Sequence, residues 1–188
     1  MKKYEEVNLE FHGGGEPTQN WSLFKNALIY FKEQGQFNGL LPKINLSTNG
    51  VFSQKQMEWI AEHISSLQIS LDGIKEIQDY QRPMINGGSL FEIVCNTIKF
   101  LLEKKVEVII RSTVTEFGID KIPEIVEFLL STFPGVKIHL EPVSECGRGL
   151  QTGQRFPSPE LFIEGFKNAE KIADVFGSEI SYSGSSSN

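Results

Sequence analysis

Cysteine is scarce in this chain: Cys95 and Cys146 are the two thiols among 188 residues. Two are too few for a disulfide framework or a site of four cysteine ligands, and the usage fits a reducing, cytoplasmic setting. A basic excess is also missing. Lys and Arg number 18 against 24 Asp and Glu, for a net charge of −6. A nucleic-acid partner would ask for a basic face, which this balance does not supply. No apolar run is long enough to span a bilayer. The opening Met1-Lys2-Lys3-Tyr4-Glu5-Glu6 has no apolar signal-peptide core. Short repeats and low-complexity stretches are absent until the Ser/Gly tail at 181–188, which reads as a loop or linker. What remains is enough for one globular domain with a real core.

That remainder alternates between two patterns. Short β-branched or apolar runs at 7–11, 43–48, 67–71, 106–114 and 137–143 predict strands. Helical stripes lie between them. One spans 89–104 with Leu90, Ile93, Val94, Thr97, Ile98, Leu101 and Leu102 on a face. Another carries Ile122, Ile125, Val126, Leu129 and Leu130. A third follows Ser158-Pro159, an N-cap and a first-turn proline, with Phe162, Phe166, Ala169 and Ala173 in its stripe. Weaker patterns follow Thr18 and Ser53. Repeated strand–helix units imply a parallel α/β sheet with right-handed crossovers.

The strands also alternate internally. One parity carries Asn8, Glu10, His12, Asn45, Ser47, Gln68, Ser70, Asp72, Glu107, Arg111, Thr113, His139 and Glu141. The other is apolar and should meet the helices. A sheet covered on both faces would be apolar almost throughout. The pattern therefore predicts a partial, open TIM-type barrel of five strands with a polar inner wall, short of the ~250 residues of a closed barrel. An antiparallel sheet with one wet face alternates likewise, but the intervening helices speak against it. Residues 1–177 would form the barrel part, and 178–188 a flexible linker toward a further domain.

Ligands of parallel α/β folds sit at the C-terminal strand ends. Those ends read His12-Gly13-Gly14-Gly15-Glu16-Pro17-Thr18, Ser47-Thr48-Asn49-Gly50, Ser70-Leu71-Asp72-Gly73, Arg111-Ser112-Thr113 and Leu140-Glu141-Pro142, with Gly147-Arg148-Gly149 beyond. Turn chemistry explains Gly50 and Gly73. It explains three adjacent glycines before Glu-Pro poorly; they let a ligand approach the backbone. A P-loop needs Gly-Lys-Ser/Thr, and a dinucleotide fingerprint needs spaced glycines opening a helix; neither is here. A hydrolase oxyanion loop would need a Gly-x-Ser-x-Gly elbow, which is also missing.

This ordered series of strand ends, with Asp79-Tyr80-Gln81-Arg82, resembles the radical S-adenosylmethionine (SAM) superfamily over residues from about 7 to 149. Within it, the likeness is to the peptide-modifying and sulfatase-maturating branch with a C-terminal SPASM domain. The resemblance implies a reduced 4Fe–4S cluster that splits SAM into methionine and a 5′-deoxyadenosyl radical acting on a peptide or protein. It also implies a reductant such as flavodoxin or ferredoxin, and no nucleic acid or membrane. By that match Gly14, Gly15 and Glu16 hold the methionine amino group, Ser70 reaches the ribose, Arg111 holds the carboxylate, and Leu140 supports the adenine. Ser47, Asn49 and Asp72 line the same rim. The departure is in the metal: the family's C-x-x-x-C-x-x-C motif, which precedes the glycines, is absent. The expectation is a central part of a radical enzyme, inactive alone. The alternative is a complete nucleotide- or peptide-binding module without radical chemistry.

The remaining polar residues carry two readings each. Cys95 falls on an apolar stripe and reads as core; Cys146 is a loop thiol or a ligand in a longer protein. His12, His63 and His139 lack the spacing of a metal pair; His12 and His139 line the interior or touch substrate. Glu141 is a proton acceptor or a partner of Arg111. Asp79 and Arg82 cap or pair within a loop, or contact substrate.

Overall fold

The computed structural model describes residues 5–12, 15–84, 87–143 and 157–184. Its strands are β1 (Glu6–Phe11), β2 (Leu41–Thr48), β3 (Ser66–Ser70), β4 (Glu107–Val114), β5 (Lys137–Pro142) and β6 (Ile180–Ser181). They pair in sequence order, β1-β2-β3-β4-β5-β6, and every pairing is parallel. Sequential order matters: a doubly wound sheet reverses direction at a switch point, and this sheet never does. β1 and β6 are its two edges, so it stays open. The antiparallel alternative is excluded, and the expected five strands become six.

The helices are α1 (Trp21–Phe37), α2 (Gln54–His63), α3 (Lys75–Gln81), α4 (Phe91–Glu103), α5 (Ile122–Thr132) and α6 (Pro159–Val175). Local chemistry sets their starts. Thr18 lies in a short 3-10 turn, Pro17–Gln19, and α1 begins only after Asn20, whose side chain accepts from Leu23 N. Ser53 and Gln56 form a reciprocal capping box at α2, worth about 1 kcal/mol. Ser158 caps α6 ahead of Pro159. Helix α3 departs from the sequence pattern: Asp79-Tyr80-Gln81 close a helical segment where the sequence reads as a loop.

The apolar parity of the strands and the helical stripes meet in one core. Leu67, Ile69, Val108, Ile110, Ile138 and Leu140 are buried with Ile98, Leu101, Ile125 and Leu129. The opposite parity is only half-buried: β4 and β5 run exposed or intermediate at Glu107, Ile109, Arg111, Thr113, His139 and Glu141. Gly50 (φ +73°) and Gly73 (φ +130°) turn the chain out of the β2 and β3 ends in the left-handed region. A Cβ at Gly73 would stand 2.8 Å from Ile125 Cγ1, so the turn is pressed against α5.

Candidate cofactor site

Parallel register gathers the inward polar residues into rows across the sheet. Ser70 stands beside Arg111, Arg111 beside His139, and His139 beside Ser181. One step nearer the C-terminal ends, Thr113 stands beside Glu141. Strand pairing alone thus brings residues from β3, β4, β5 and β6 to one wall.

Glu16 closes the first end. Its Oε1 accepts from Thr18 N (3.2 Å), Thr18 Oγ1 (2.7 Å) and Thr48 Oγ1 (2.9 Å), and its Oε2 from Asn49 N (2.7 Å). The carboxylate therefore ties residues 15–18 to the end of β2. Asn49 Oδ1 accepts from Val51 N at 2.9 Å, forming the turn there, and Ser47 Oγ donates to Gln68 Oε1 at 3.2 Å. Gly15 is exposed beside this clasp. Gly14, Cys146 and the Gly147-Arg148-Gly149 stretch lie outside the described residues.

Asp72 is held by protein. Its side chain is 1% exposed, accepts from Arg82 Nε (2.7 Å) and Nη2 (3.0 Å), and takes Thr113 N at 2.9 Å. Asp72 N donates to Gln78 Oε1 (2.7 Å), and Gln81 bonds Thr113 O and Thr115 Oγ1. Short as it is, α3 is latched across the ends of β3 and β4. Asp72 is thus placed in this latch beneath the rim. Asp79 pairs with Lys75 and accepts from Ser89 Oγ; these bonds hold its carboxyl below the usual carboxylate range, with the Lys75 bond the largest cause.

Arg111 is the contrast. Its half-buried guanidinium makes no hydrogen bond or ion pair among the described residues. It is near enough to Glu141 to act on that carboxyl. Ser70, its neighbour in register, likewise keeps its hydroxyl unengaged by described residues. Leu140 is fully buried in the core, so it offers the inner wall backbone and not its side chain.

Beyond Arg111 lies a cluster that the sequence reading captured only in part. His139 Nε2 is 2.9 Å from Glu141 Oε2, and Nδ1 is 3.0 Å from Ser181 Oγ; Ser183 Oγ also donates to Glu141 Oε2. Burial acts to raise the Glu141 carboxyl, but the bonds from Ser183 and His139, with the His139 and Arg111 charges, bring it below the usual carboxylate range. Ser181 belongs to β6 and not to the linker that its Ser/Gly composition suggests; the spacing of two between Ser181 and Ser183 is the signal of a strand edge. Thr48 and Thr113 were likewise missed as partners of the two carboxylates.

The other histidines stand apart. His12 is exposed just past β1, and His63 stacks on Trp59 (4.1 Å) at the C-terminus of α2, with Nδ1 2.8 Å from Trp59 O. Burial, helped by Glu92, pushes the Cys95 thiol up to about 11, which makes it a poor nucleophile or ligand. Among the described residues, no three His, Cys, Asp or Glu side chains gather as a metal site, and no helix is long and apolar enough to cross a membrane.

A model of the radical SAM superfamily matches residues 1–129 of the chain. The chain belongs to the radical SAM superfamily. A relative from Methanothermobacter thermautotrophicus, an uncharacterized protein, is 28% identical over 136 residues, covering 72% of this chain and 50% of its own length. The sporulation killing factor maturation protein SkfB of Bacillus subtilis is 30% identical over 92 residues, covering 48% of this chain and 22% of its own. Among solved structures, native anSMEcpe with bound AdoMet and Cp18Cys peptide superposes with a TM-score of 0.75 at 21% identity, covering 94% of this chain and 50% of that one. At that identity the likeness speaks for the shared radical SAM fold. The chain spans half or less of the curated relatives it matches.

Proposed function

We propose that this chain is the central part of a radical SAM enzyme that modifies a peptide or protein, and that it supplies most of the SAM pocket. The observation carrying this reading is the Arg111 guanidinium beside Ser70 on the inner wall, which makes no hydrogen bond or ion pair among the described residues. A guanidinium whose donors no described residue takes up suits the methionine carboxylate through a paired contact. The Ser70 hydroxyl suits the ribose oxygens. The glycine loop, held by Glu16, offers backbone to the amino group, while Ser47 and Asn49 flank it and Leu140 gives backbone toward the adenine. Because Glu16 is engaged by protein donors, its part is to fix this loop. Held by these residues, SAM would supply the hydrogen-abstracting chemistry.

The iron–sulfur cluster does not fit residues of this chain. Two cysteines cannot give the three thiolates such a cluster takes in this family, and no step is derived through it. The reading places those thiolates on a strand–helix unit packed against β1. The support is that β1 is an open edge and that Leu23, Tyr30 and Phe37 stand exposed on the adjoining α1. Residues 178–188 would then lead into a further domain, with β6 already part of the barrel wall. SkfB, by its name a maturation protein, and the peptide-bound anSMEcpe support a peptide as the substrate. A low-potential flavodoxin or ferredoxin would supply the electron.

The test uses the whole protein, reconstituted anaerobically with iron and sulfide. Methionine and 5′-deoxyadenosine should be released from SAM, and R111M should weaken SAM binding by roughly 10–100-fold, the worth of a charge-assisted contact. Binding without cleavage would make the chain a binding module. Neither binding nor cleavage would remove the reading.

A further inference from the structure

We infer that the sheet carries a second binding site, for an aliphatic ammonium, in a cavity nearer the strand starts than the rim assigned to SAM. The inference goes beyond the SAM reading and does not rest on it.

Strand register sets a second row beside the first. Gln68 stands beside Ile109, and Ile109 beside Lys137. Glu179 precedes Ile180, the partner of Ile138, and so continues the row past Lys137. This row lies two residues, about 7 Å, nearer the strand starts than Ser70, Arg111, His139 and Ser181. A cavity of about 230 Å3 opens here, with Gln68, Ile109, Lys137, His139, Glu179 and Ser181 in its lining. That volume is below the roughly 300–1,000 Å3 of drug-sized ligand sites. It suits a short chain, such as an alkylamine or one lysine side chain. Ile109 is the apolar exception on its face of β4, which it shares with Glu107, Arg111 and Thr113.

Charge decides the head group. Lys137 Nζ bonds Glu107 Oε1 at 2.6 Å, on the side of β5 away from β6. That bond chiefly raises the Lys137 ammonium above its ordinary value, and the Glu179 charge adds to it. Glu179 itself accepts no hydrogen bond among the described residues. Two carboxylates therefore share one cation, and the next row adds no excess, since Arg111 offsets Glu141. An entering ammonium evens this balance, whereas an anion would meet both carboxylates. Ile109 is half-buried, while Lys137 and Glu179 are exposed. A methylene chain can thus lie over Ile109 with its charged head kept in water beside Glu179.

The test is methyl NMR of the chain labelled at the isoleucine δ1 carbons, with I109V, which loses that methyl, to assign Ile109. Pentylammonium should shift the Ile109 signal saturably, with a Kd of roughly a millimolar, and pentanoate should not. Pentanol, which keeps the chain and drops the charge, should bind more weakly. E179Q should weaken pentylammonium binding by roughly 2–5-fold and leave pentanol binding unchanged. K137M, which leaves both carboxylates without their cation, should tighten it. If Nα-acetyl-lysinamide binds as pentylammonium does, a lysine side chain is the occupant; if pentylammonium alone binds, a free amine is. No saturable shift, pentanol or pentanoate equalling the ammonium, or a change of the same direction in E179Q and K137M would overturn the site. SAM enters none of these readouts, so a failure here is distinct from a failure of the SAM pocket.

Discussion

At the scale of single residues, the two acidic groups of the first and third strand ends share one logic. Glu16 and Asp72 each bind backbone and side-chain donors from a neighbouring element, and so fix the strand ends beside which Arg111 stands. Replacing Glu16 by Gln keeps the shape but removes charge and turns one oxygen into a donor facing donors. E16Q should lower stability by about 1–3 kcal/mol, read as a lower urea midpoint at unchanged m-value. Glu141 predicts a pH dependence. Its folded carboxyl lies below its ordinary value of 4.5, so its contribution is present above that value and is lost as pH falls through the folded one. Urea midpoints of wild type and E141Q should differ at neutral pH and converge in acid. A gap that widened on acidification would contradict the assignment.

At the scale of elements, what the sequence revealed depended on how each element is stabilised. The five long strands were legible because their parity is written in polar and apolar residues, and α4, α5 and α6 because their stripes repeat over three turns or more. Helix α3 carries little periodicity. It exists through Gln78 on Asp72 N, Gln81 on Thr113 and Arg82 on Asp72, contacts that no local pattern announces. Strand β6 is two residues long and sits in a Ser/Gly stretch, so its pairing with β5 outweighed its composition. The same reasoning separates the site residues. Parity places Ser70 and Arg111 on the inner wall, whereas Leu140 has the opposite parity and lies in the core. Because α3 depends on the Asp72 ion pair, R82M should cost about 2 kcal/mol or more, discounted because the Arg82 side chain is 35% exposed. The double variant D72L/R82M should recover part of that loss. Additive losses in thermal unfolding would show the pair to be uncoupled.

At the scale of the whole molecule, one edge of the sheet is unlike the rest. Leu23, Tyr30 and Phe37 recur every seven residues along α1 and are 64%, 64% and 86% exposed, beside the free edge of β1. Such a face invites association. The chain should bind a hydrophobic dye and self-associate with rising concentration, and the triple variant L23E/Y30E/F37E should do neither while keeping its helical circular dichroism. Equal dye binding by the variant would move the sticky surface elsewhere. The polar wall has a dimension of its own. Strands stand about 4.8 Å apart, so the row from Ser70 through Arg111 and His139 to Ser181 crosses three gaps and measures about 14 Å. Backbone hydrogen bonds fix that pitch, and lengthening a helix or loop outside cannot alter it. The sheet is therefore a ruler: whatever the Ser70 end and the Ser181 end each hold would be kept at a separation written into the strand spacing.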